Sequence, residues 1–79
     1  MARVLLFGPL RDLAGWRERQ VDAASLADLH SVLTSEDADL GAALGGPGVQ
    51  VAVDQAVVRG EMALNPGSEV AFLPPMSGG

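Results

Sequence analysis

Val4-Leu5-Leu6-Phe7 is an unbroken apolar run closed by Gly8-Pro9. Bounded by turn formers, such a run predicts a strand covered at least partly on both faces. Residues 10–15 predict one helical turn ending at Gly15, and the polar stretch 17–22 predicts a second strand at a sheet edge. Ser25 reads as a helix N-cap, with Asp28 in the capping-box position three residues on. Leu26, Leu29 and Leu33 share one stripe with Val32 beside it, which predicts an amphipathic helix to about residue 35. Leu40 and Leu44 predict a further short turn before the break at 45–48.

Val49, Val51 and Val53 alternate with Gln50 and Ala52, the pattern of a strand with one buried face. Val57-Val58 predicts a short partner strand after a turn at Asp54-Gln55. Asn65-Pro66-Gly67 is a strong turn signal, because proline presets the first central residue and glycine supplies positive φ at the second. Residues 69–73 predict a final strand, with Val70 and Phe72 on one face and Ala71 and Leu73 on the other. The expected architecture is a small α+β domain: a mixed sheet of about four to five strands with one main helix packed on one face, burying the leucine stripe. The 79 residues allow a single domain and show no repeat or linker.

Composition narrows the chemistry. The absence of cysteine excludes a disulfide framework, a thiolate metal site and a cysteine nucleophile. A net charge of −5, with five arginines and no lysine, argues against nucleic-acid binding and for docking on a basic protein surface. Nothing in the sequence marks export or a membrane span, so the expected compartment is the cytoplasm. His30 is the sole histidine and has no serine, cysteine or second histidine placed to form a triad, so it reads as a surface or packing residue. Glu36, Asp37 and Asp39 read as a solvated face rather than a metal site. Gly45-Gly46-Pro47-Gly48 lacks the lysine and hydroxyl residue of a phosphate loop and reads as a connector. The body of the chain therefore carries no evident catalytic machinery.

The chain ends in Phe72-Leu73-Pro74-Pro75-Met76-Ser77-Gly78-Gly79. Two prolines fix φ and cannot donate to a ladder, so they end the strand and stiffen the chain beyond it. The expected division is a domain at 1–75 and a flexible diglycine tail at 76–79, which reaches at most about 14 Å beyond Pro75. Glycine costs backbone entropy and adds no packing, yet it admits a carboxylate to a channel too narrow for side chains. That carboxylate becomes reactive once activated, most directly as an acyl-adenylate.

The opening stretch from Arg3 to Gly15 and the ending from Leu64 to Gly79 resemble the small subunit of molybdopterin synthase, over essentially the whole chain. The resemblance implies a ubiquitin-like β-grasp fold and a sulfur carrier for molybdenum cofactor synthesis. It implies that Gly79 is adenylated and converted to a thiocarboxylate, and that Gly78 supplies the narrow backbone. It also implies a docking surface of Phe7, Phe72, Leu73, Pro74, Pro75, Met76 and Ser77, although a core position is the competing reading for Phe72 and, less so, for Leu73. The implied partners are the large synthase subunit, in a heterotetramer, an ATP-dependent E1-like activating enzyme and a sulfurtransferase. No cofactor is expected on the chain itself, ATP being used by the activating enzyme. Ser68 departs from the family's usual acidic residue, and Gly8-Pro9 is stiffer than its usual opening turn. Open alternatives are the sulfur carrier of thiamin thiazole synthesis, a ubiquitin-like protein modifier, and an interaction module with an inert tail.

Overall fold

The computed structural model describes residues 1–75. In chain order the elements are β1 (Ala2–Leu6), α1 (Gly8–Ala14), β2 (Glu18–Val21), α2 (Leu26–Glu36), α3 (Ala38–Leu44), β3 (Gln50–Val53), β4 (Ala56–Val58) and β5 (Glu69–Leu73). The strands form one mixed sheet in the order β2-β1-β5-β3-β4. β5 is central, parallel to β1 and antiparallel to β3, so it pairs on both sides and has no free edge.

Alternation on β5 decides the two faces. Val70 is fully buried and Phe72 is 4% exposed, and they point to the helical side together with Val4, Leu6 and Val53. Leu29, Leu33, Leu40 and Leu44 close the core from above. The leucine stripe thus does what its spacing predicts. Ser25 caps α2 as expected, its Oγ accepting from Asp28 N at 3.1 Å. The reciprocal arm differs from a capping box, because the shorter aspartate reaches Ala24 N (3.0 Å) instead of the cap's own amide. A second cap comes from far along the chain: Glu61 Oε1 accepts from Ala27 N at 3.1 Å and from Met62 N at 2.8 Å.

Two expectations need correction, and the two expected helical turns prove to be full short helices. One main helix is accompanied by two helices of seven residues, α1 and α3. β1 ends at Leu6, and Phe7 instead takes the N-cap position of α1, where Pro9 tolerates the helix start because the first amides lack partners anyway. β3 is not buried on one face only. Ala52 is 8% exposed on the side away from the helices, where it pairs with Ala71 across the ladder.

The turn at 65–68 forms as its residues predict, with Ser68 N donating to Asn65 O at 3.0 Å and Gly67 at φ +84°. Ser68 is buried, and its Oγ accepts from Asn65 N at 2.9 Å, so the hydroxyl holds the turn. Opposite it, the β3–β4 hairpin turns on Asp54 and Gln55, both at positive φ without being glycine. Arg19 on β2 ties the sheet edge to α2 through Glu36 at 2.8 Å, while its guanidinium lies 5.1 Å from the Trp16 ring centroid. Both partners are substantially exposed, which limits such a pair to about 1 kcal/mol at most.

Candidate functional site: the open sheet face and the tail exit

The site is built on β5, because the strand that carries the tail is also the one most firmly held. Its register sets Leu5 beside Ala71 on one flank and Ala52 beside Ala71 on the other. Val57 of β4 stands opposite Ala52, and Gln50 opposite Leu73. These residues occupy the face that no helix covers. The two alanines form a low floor, while Leu5 and Leu73 remain half-buried and Val57 is 55% exposed. Phe7, 44% exposed, lies one position beyond the Leu6–Phe72 pair and so falls at the same end as Leu73.

The other half of this face is charged. Arg3 Nε donates to Glu18 Oε2 at 2.7 Å, and Arg3 also faces Glu69 at 3.6 Å. The hydrogen bond from Arg3 is the main reason that the Glu18 carboxyl is held below its ordinary range. The open face is therefore divided: ion-paired near the 65–68 turn and apolar toward the tail exit.

Phe7, Leu73, Pro74 and Pro75 all come together at the tail end of β5. Phe72 does not join their surface. Its ring belongs to the core and lines the inner wall of a cleft of about 320 Å³, together with Leu26, His30, Leu44 and Glu61. That is a correction to its expected docking role, and the reason is strand alternation, which turns position 72 inward whenever 73 faces outward. Met76, Ser77, Gly78 and Gly79 lie outside the described residues.

His30 sits half-buried with Nε2–H donating to Gly41 O at 2.7 Å, a packing contact between α2 and α3. Among the described residues no three His, Cys, Asp or Glu side chains converge as metal ligands. No helix among them is long and apolar enough to cross a membrane. Sequence alone does not mark Leu5, Ala52, Ala71 and Val57 as members of one open face. The period-two spacing of Leu5 with Phe7 and of Ala71 with Leu73 was a usable signal for a shared face, but strand order was not available to join them.

Residues 4–79 match the sequence profile of the ThiS family. The chain belongs to this family. No curated protein matches it. Among solved structures, small archaeal modifier protein 1 of Haloferax volcanii is 26% identical over 99% of this chain and 98% of its own, with a TM-score of 0.80. A candidate molybdopterin converting factor subunit 1 from Pyrococcus furiosus is 25% identical over 95% and 97%, also at 0.80. The small archaeal modifier protein 1 of Methanosarcina acetivorans superposes at 0.87 over 99% and 95%, and at 24% identity it speaks to the fold alone. The five-stranded sheet with α2 across one face is thus the ubiquitin-like β-grasp shared by sulfur carriers and modifiers of the ThiS type. Its described residues present an apolar half-face beside the exit of β5.

Proposed function

We propose that this ThiS family member is a sulfur carrier for molybdopterin synthesis, acting as a protein substrate of larger enzymes. The observation that carries the reading is that the family match runs through Gly79, six residues past the end of a central strand whose exit is flanked by apolar surface. The likeness to the Pyrococcus furiosus protein, named for molybdopterin conversion, supports the pathway. In this reading residues 1–75 form the docking body and 76–79 the reacting tail. An E1-like enzyme binds the body and brings Gly79 to ATP. A Gly79 carboxylate oxygen attacks the α-phosphorus and expels pyrophosphate. A sulfide-level nucleophile, delivered by a sulfurtransferase, then attacks the acyl carbon and expels AMP, leaving a thiocarboxylate. Gly78 keeps the tail narrow enough for the channel.

Leu73, Phe7, Pro74 and Pro75, continued by Met76 and Ser77, form the contact with the large synthase subunit, joined by Leu5 and Val57 from the open face. The chain itself needs no bound cofactor for this role, since ATP belongs to the activating enzyme. The likeness to Haloferax volcanii small archaeal modifier protein 1 favours a second reading, in which activated Gly79 acylates amines on other proteins. The test is the intact mass of the protein from its own cells, free and conjugated pools together. A free chain carrying one oxygen-to-sulfur exchange at Gly79 supports the carrier. Adducts through Gly79 support the modifier, and a thiocarboxylate pool that feeds thiamin thiazole synthesis alone moves the pathway. An unaltered carboxylate that shows no ATP-dependent pyrophosphate exchange overturns all three.

A further inference from the structure

Five glycines among the described residues adopt positive φ. Three of them, Gly15, Gly60 and Gly67, face open space, so a Cβ there would meet nothing within 4 Å. Backbone conformation alone accounts for glycine at those positions. The other two differ, and each differs in the same way. A Cβ on Gly8, at φ +56°, would lie 3.4 Å from Pro74 Cγ. A Cβ on Gly48, at φ +83°, would lie 3.0 Å from Pro75 Cβ and 3.3 Å from its Cγ. Each tail proline thus rests against the bare backbone of its own glycine, one from the β1–α1 junction and one from the α3–β3 connection.

We infer that Gly48 is a positioning residue for the start of the tail: its side-chain-free backbone seats the Pro75 ring and sets the direction in which the chain leaves β5. This rests on the carrier reading above. The contact at Gly8 is of ordinary van der Waals length and would tolerate a methyl group's volume. The contact at Gly48 is too short for that, so Pro75 must yield by a few tenths of an ångström. Its ring has no rotamer to escape into, because proline locks φ. A shift of that size across one 3.8 Å Cα–Cα step turns the direction in which the chain leaves Pro75 by about 5°. Misplacement of about 1 Å at a reacting atom can cost about 10²-fold. Misdirection where the chain leaves β5 is a smaller perturbation than that, so the expected loss is about tenfold.

The experiment measures pyrophosphate release on Gly79 adenylation, using the E1-like enzyme that activates the wild-type chain. Gly48→Ala should lower kcat about tenfold and leave KM within about twofold. Gly67→Ala is the matched control: it has nearly the same φ, open space, and a place at the opposite end of β5. It should leave both constants unchanged. In a Pro75→Gly background, which removes the atoms that Gly48→Ala would strike, the Gly48 substitution should change kcat less than twofold. Pro75→Gly alone, at an exposed position that does not threaten folding, should itself lower kcat because the seat is lost. Equal effects of Gly48→Ala and Gly67→Ala would overturn the inference, as would a Gly48 effect that persists without Pro75 or a Pro75→Gly chain with wild-type kcat. A wild-type chain that no E1-like enzyme adenylates would remove the carrier reading itself, and the inference with it.

Discussion

Phe72 and Leu73 are adjacent, and they should separate stability from docking. Phe72 is 4% exposed inside the core cluster, and truncating such a phenylalanine to alanine costs about 3–5 kcal/mol through lost transfer energy and a residual cavity. A chain of this length is stabilised by about 4–12 kcal/mol in all, so Phe72→Ala removes about a quarter of it at the least. At about 4–8 °C per kcal/mol for a domain of this size, the melting temperature falls by about 12 °C at the least. Leu73 is half-buried on the open face, and Leu73→Ala should cost only about 1 kcal/mol, the value of a methylene or so of partial burial. Its effect should appear in docking, where losing an interface anchor weakens binding about tenfold or more. Urea unfolding followed through Trp16, the sole tryptophan and packed against the core, measures the first quantity. Titration against the activating enzyme or the large subunit measures the second. A Phe72→Ala chain within about 1 kcal/mol of wild type, or a Leu73→Ala chain destabilised as much as Phe72→Ala, would refute this division of roles.

Three further outcomes follow from the packing and the charges. Gly41→Ala would place a Cβ 2.7 Å from Thr34 Cβ and 2.8 Å from its Cα, so α2 and α3 must separate. Overpacking costs about 1–3 kcal/mol and helix propensity returns less than about 1, so thermal unfolding should come earlier, whereas propensity alone predicts later. Gln55→Gly relieves a left-handed glutamine at φ +72° and should raise stability by up to about 1 kcal/mol in urea, with unchanged stability refuting strain at the hairpin. The Glu61 carboxyl is held below its ordinary 4.5, first by the amide of Met62 and then by that of Ala27. Its folded-state value is depressed, so its contribution is present above the ordinary carboxyl range and is lost as pH falls through the lowered value. Acid unfolding of Glu61→Gln should accordingly show a shallower loss below pH 4.5 than wild type, and identical acid limbs would refute the cap.

What the sequence determined by itself is the part of this protein governed by short-range physics. The Leu26, Leu29 and Leu33 stripe, the Ser25 cap, the 65–68 turn and the alternation along β5 each depend on neighbours within a few residues, and each formed as read. The family likeness was legible for a related reason, since the apolar strand, paired prolines and diglycine are contiguous. Alternation also showed that Phe72 and Leu73 face opposite ways, but it could not say which face the helices would cover. That choice is tertiary: placing α2 on the Val70 and Phe72 side made one an interior residue and left the other for contact. The parallel pairing of β1 with β5 joins residues more than sixty positions apart and brings Phe7 to the tail end. Glu61 capping α2 across 34 residues, and Gly48 seated against Pro75, are likewise products of chain return. No local propensity encodes such contacts, because the partner's identity enters only when the chain folds back on itself.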